Sequence, residues 1–163
     1  MNRKNQAGAS MLEVLMYLSL VIVMSVSMMQ VYTTEVRKAD RLRLENQIYD
    51  IVDKVQVLEF GHKDAITFDE AYKKKLETAG ANLHHKWGIP SMYDITISSS
   101  DGNACIAVKV DNLPNDACIH LASQITSRCT KAPYEMKVND VAGGFENCAA
   151  HDHNAVVIYA DKN

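Results

Sequence analysis

The chain has 163 residues, enough for one modest domain, and 47% of them are hydrophobic, within the globular range. Its formal net charge of −3 supplies neither the basic field that attracts nucleic acid nor a strongly acidic field for a basic partner. Charge points to no partner.

The first eight residues, MNRKNQAG, are short and polar, with Arg3 and Lys4 and no acid. From Val14 to Thr34 run 21 uncharged residues, with Glu13 the lone acid just before them. At ~1.5 Å per helical residue they cover a ~30 Å hydrocarbon core. A cleaved secretory signal has a shorter apolar run of about 7–15 residues. Its small-residue cleavage site is matched only poorly by Ser25-Val26-Ser27. A plain signal anchor explains the length and the basic start, but not a carboxylate at the membrane edge. Arg37, Lys38, Arg41 and Arg43 outnumber Arg3 and Lys4, which by the positive-inside count places the C-terminal part in the cytoplasm. The leader and the cysteines favour the opposite side.

No Gly or Pro interrupts the chain from Ala9 to Phe60, so one helix is predicted across it, stopping at Gly61. Such a helix has roughly 50 residues and is about 75 Å long. In its second half, 35–60, Leu44, Ile48, Ile51, Val52, Val55 and Leu58 form an apolar stripe that predicts packing on a head domain. Thr67 and Glu70 read as a capping box opening a helix that ends at Gly80. Its Lys73-Lys74-Lys75 run reads as a solvated face. Trp87 reads as a lid on the core. YDITISSS and ACIAVKV are predicted strands joined at Asp101-Gly102, followed by the helix ACIHLASQITS and the strands YEMKV and AVVIYA. The expected class is α+β, with a small antiparallel sheet on the amphipathic half of a long N-terminal helix.

Cys105, Cys118, Cys129 and Cys148 show no C-x-x-C spacing, and behind an apolar N-terminus they suggest two disulfides made in an oxidising compartment. Cys118 and Cys129 lie eleven residues apart. On one continuous helix that is about 16 Å, beyond the ~7 Å limit between bridged Cα atoms. If the strand after Cys105 turns at Pro114 and the helix returns beside it, Cys105 meets Cys129 and Cys118 is left for Cys148.

Gly8-Ala9-Ser10-Met11-Leu12-Glu13, followed by about twenty apolar residues, resembles the processing site of type IV prepilins. The resemblance implies a leader of residues 1–8, cut after Gly8 by a prepilin peptidase, with N-methylation of Ala9. It implies lipid contact through 9–34 before assembly, an assembly platform in the inner membrane, and a homo-oligomeric filament at the cell surface. Glu13 stands where that family's acid neutralises a neighbouring subunit's N-terminal amine. The segment 85–163 looks like the head of type IVb pilins, whose bridge between a short-helix cysteine and a late cysteine encloses a contact loop, here roughly 119–147. That family usually has one such bridge, a longer leader, a first mature residue other than Ala, and Gly or Pro within the apolar helix. On this resemblance 61–163 is a disulfide-bonded head in a type IV pilin fold, serving adhesion, conjugation or aggregation.

His151-Asp152-His153, with His120, is the only polar cluster that suggests a metal, and a loop gives it no fixed geometry. No nucleophile turn and no glycine-rich phosphate loop is present. The expectation is therefore a structural protein, not an enzyme, without metal or other cofactor. Two further readings remain. One is a type II secretion pseudopilin or minor pilin; the other is a signal-anchored extracytoplasmic protein that binds a ligand.

Overall fold

The computed structural model describes residues 11–61, 64–88, 93–100, 104–125, 129, 135–149 and 153–162. Gly8, Ala9, the Asp101-Gly102 turn and His151-Asp152 lie outside the described residues. The chain forms two compact units, Met1–Ala39 and Asp40–Asn163, and the boundary falls within helix α1 (Met11–Leu58) rather than after it. With no Gly or Pro to break it, α1 runs 48 residues, and Gly61 follows at φ +80°, a left-handed conformation that favours glycine.

The second unit is α+β. Helix α2 spans Glu70–Thr78, strand β1 Ile95–Ser100, β2 Cys105–Leu113, helix α3 Asn115–Gln124, β3 Lys137–Val138, β4 Val141–Ala142 and β5 Asn154–Asp161. A short 3₁₀ turn occupies Phe145–Asn147. The five strands form one sheet in the order β1-β2-β5-β3-β4, antiparallel at every junction. The core combines Leu44, Ile48, Ile51 and Val55 of α1 with the inward faces of the sheet, Leu76 of α2 and Leu121 of α3. Each fully buried aliphatic side chain contributes about 1.5–3 kcal/mol, so the stripe on α1 holds this unit together. Val52 and Leu58, at its margin, are partly buried.

Four local details differ from the sequence expectation. The cap of α2 is Asp69 rather than Thr67: its Oδ1 accepts from the Tyr72 amide at 2.8 Å, a bond Thr67 is two residues too early to make. Helix α3 begins at Asn115 and ends at Gln124, where Ile125 turns extended, so Cys129 is not on it. Strand YEMKV shrinks to two residues, Lys137 and Val138. The strand β4 was not foreseen; it pairs with β3 across Asn139 and Asp140, at φ 52° and 65°, the backbone of a type I′ turn. Gly80, at φ +83°, does end α2: its amide bonds Glu77 O and the Ala81 amide bonds Leu76 O, a Schellman closure.

Tyr72 is buried, and its Oη lies close enough to Glu59 to feel its charge and a weak hydrogen-bonding pull, short of full hydrogen-bond geometry. Burial first, and Glu59 second, push the phenol's pKa up. An unpaired buried hydroxyl costs about 1–3 kcal/mol, so Tyr72→Phe is expected to be neutral or stabilising by about 1 kcal/mol at pH 7 in urea unfolding. The unfolded phenol loses its proton near pH ~10 while the folded one keeps it. Stability therefore falls as pH rises above that value, and the phenylalanine variant lacks this part of the fall.

Candidate functional site

Within the first unit, Glu13 lies near the start of the described part of α1. Behind it the apolar side chains from Val14 to Tyr32 are exposed, at 46–72% of their surface for the larger ones. The helix is long and apolar enough to cross a membrane, and its most hydropathic 18-residue window has no buried residue in this structure. An exposed apolar surface over some twenty residues near the N-terminus suggests a membrane anchor or a signal segment. The hydroxyls along the run turn inward: Ser19 Oγ donates to Met16 O, Ser25 to Val21 O and Ser27 to Val23 O, at 2.8–2.9 Å. That removes their cost in an apolar setting.

In the second unit, disulfides join Cys105 to Cys129 and Cys118 to Cys148, with Cα separations of 5.9 and 6.0 Å. These pairs are the ones reached from the sequence, although α3 ends before Cys129, so the continuous helix assumed between Cys118 and Cys129 does not exist. The Cys118–Cys148 bridge encloses most of α3, the β3–β4 hairpin and the 3₁₀ turn. Ile119, Val141 and Phe145 within it are 39%, 54% and 56% exposed. Next to Phe145, the Gly144 amide donates to Glu146 Oε1 at 2.8 Å and holds that carboxyl below its ordinary pKa.

An asparagine pair missed in the sequence organises this loop. Asn154 is fully buried; its Oδ1 accepts from the Ala149 amide at 2.7 Å and from Asn139 Nδ2 at 2.9 Å. Its own Nδ2 donates to Ala149 O and Leu113 O. Asn139 also donates to Asn147 O and accepts from the Ala155 amide. A buried amide satisfied on every side fixes one geometry, since any other leaves polar groups unpaired. The only hint in the sequence is Asn139-Asp140, a turn pair.

Other candidates serve the packing of this unit. His120 Nε2 lies 3.3 Å from Glu45 on α1, and Arg41 pairs with Asp116 at 2.6 Å. Trp87 is partly buried against the core and borders a cleft of about 220 Å³, below the ~300–1,000 Å³ of typical ligand sites. Much of its polar lining is engaged: Lys86 pairs with Asp40, and Gln47 Nε2 donates to Asn82 O and His84 O. Burial lowers the pKa of His85 there. Lys73 is not simply solvated; its ammonium lies 5.3 Å from the Phe68 ring centre and 4.6 Å from that of Tyr93.

No protein-family model, curated protein or solved structure matches this chain.

Proposed function

We propose that this chain is the structural subunit of a type IV, IVb-like pilus. It is cut after Gly8, methylated at Ala9, and polymerised through α1 into a surface filament for adhesion, conjugation or aggregation. The observation that carries this reading is the division of labour along one unbroken helix. Val14–Thr34 presents a mainly apolar, exposed surface whose serine and threonine hydroxyls bond back to the helix, while Leu44, Ile48, Ile51 and Val55 are buried in a disulfide-bonded head unit. A membrane anchor alone needs no acid at its start. A subunit stored in the inner membrane, then passed by an assembly platform into a bundle of its own copies, does. An acid embedded in hydrocarbon costs about 2.5–3.5 kcal/mol, and the amine freed at Ala9 is its natural mate.

Intact mass of the membrane-extracted protein tests the processing step, and a mature chain lacking residues 1–8 is expected. An unprocessed chain is the result that favours a signal-anchored ligand-binding protein. Glu13→Ala is expected to be processed normally yet to lower filament yield, counted by electron microscopy, by about 100-fold, since it leaves a buried amine unpaired. A type II pseudopilin or minor pilin shares these requirements and is separated by deletion: loss of the gene removes every fibre only for the major subunit.

A further inference from the structure

Two cations stand just past the apolar run without a partner. Arg37 and Lys38 are the only basic side chains among the described residues of the first unit. Both are exposed, and among the described residues neither makes an ion pair or a side-chain hydrogen bond. The next ions along α1 belong to the second unit and are engaged there, Asp40 with Lys86 and Arg41 with Asp116. Two long side chains, each with an apolar stem and a charged head, are thus left at the end of a membrane-length segment.

We propose that Arg37 and Lys38 bind the phosphates of anionic phospholipid headgroups and so tie this end of the run to a charged bilayer surface. The contact requires the run to lie in a bilayer, and it holds whether or not the chain polymerises. A bilayer is about 30 Å across its hydrocarbon and about 40–45 Å with its headgroups, so each headgroup layer is about 5–7.5 Å deep. With the hydrocarbon ending at Thr34, the last of the uncharged residues, Arg37 stands ~4.5 Å and Lys38 ~6 Å beyond it. Both fall inside that layer. Tyr17 and Tyr32, 68% and 71% exposed near the two ends of the run, suit its boundaries, where amphipathic rings collect. The guanidinium can hold a phosphate through two N–H donors, and the ammonium adds a point charge. Glu35 opposes them. It is exposed and three residues from Lys38, on the same side of the helix, but about 160° around the axis from Arg37. The net attraction is that of one cation, with Arg37 the stronger contributor. These basic residues thereby have a use that does not require the second unit to face the cytoplasm.

The full chain, reconstituted in phosphatidylcholine vesicles containing a minor share of phosphatidylglycerol, tests this. Spin-labelled lipids of each headgroup report how much of each is held at the protein. Wild type is expected to prefer phosphatidylglycerol about 5-fold, the effect of one cation near a charged surface. Arg37→Gln/Lys38→Gln is expected to lose that preference, and Arg37→Gln alone to lose more of it than Lys38→Gln. Glu35→Gln is expected to raise it by about another 5-fold. Sodium chloride is expected to weaken it by screening, and phosphate buffer of equal ionic strength to do no more. Selective displacement by free phosphate marks a site for a soluble anion and overturns the lipid assignment. Equal retention of both lipids by the wild type overturns it too, as does an undiminished preference in the double variant. Thermal unfolding of the disulfide-bonded unit, to which neither residue belongs, is the folding control and is expected to be unchanged. A chain that sodium carbonate washes from the vesicles refutes the bilayer placement itself, and this contact with it. An inserted chain without lipid preference defeats this contact alone.

Discussion

Replacing Cys118 and Cys148 together by alanine is expected to destabilise the Asp40–Asn163 unit by about 3.5 kcal/mol, read as a lower urea midpoint with an equal or steeper slope, because the freed unfolded chain exposes more surface. The bridge closes a sequence separation of 30, and loop-closure entropy for that length gives this value. Against a total stability of about 5–15 kcal/mol for a domain, the loss is a quarter to most of what is available. Alanine is the better probe than serine because Cys118 is fully buried, and a hydroxyl there adds its own desolvation cost. The companion bridge closes a separation of 24, so entropy alone predicts nearly the same effect for Cys105 and Cys129. The loop enclosed by Cys118–Cys148 is also pinned by Asn139 and Asn154. The double variant should therefore unfold sooner without first releasing this loop, which hydrogen exchange at residues 139–149 can follow. An unfolding free energy within about 0.5 kcal/mol of wild type contradicts the prediction.

A comparable loss is expected from Glu59→Ala. Lys162 is 1% exposed, and its ammonium is held by Glu59 at 3.3 Å and by the Asp64 carbonyl at 2.6 Å. Removing one partner of a buried pair costs about 3–5 kcal/mol because the other charge is left behind. The low end, about 3 kcal/mol, applies here. Glu59 is 14% exposed, so water can reach the space its loss leaves, and the Asp64 carbonyl still holds the ammonium. The double variant Glu59→Leu/Lys162→Met removes both charges and is expected to recover most of the loss. A double-mutant cycle by urea unfolding measures the coupling, and additive single and double effects are the outcome that defeats this account.

Both predictions concern features that differ in how far they can be read from the chain. The long helix was legible because its signals are local: no Gly or Pro from Ala9 to Phe60, a 21-residue uncharged run, then a stripe at three- and four-residue spacing. Gly61 and Gly80 marked helix ends for the same local reason, a left-handed φ. Strand existence followed from β-branched runs, but extent did not. YEMKV keeps only two paired residues, and β4 is two residues long, too short for any periodicity to register. The cap of α2 was misplaced because Thr67 and Asp69 both suit the position, and only the backbone angles choose between them.

The sequence by itself determined the α+β class, the single membrane-length segment with its lone acid, and the four cysteines that require an ordered head. Each depends on residue type and spacing along the chain, which are fixed before folding. Tertiary structure alone decided that Lys162 is buried beside Glu59, that Asn154 is bonded on all sides, and that Tyr72 keeps an unpaired hydroxyl. Those facts depend on which segments arrive together, over separations as large as the 103 positions from Glu59 to Lys162, and no local pattern encodes the environment such neighbours create.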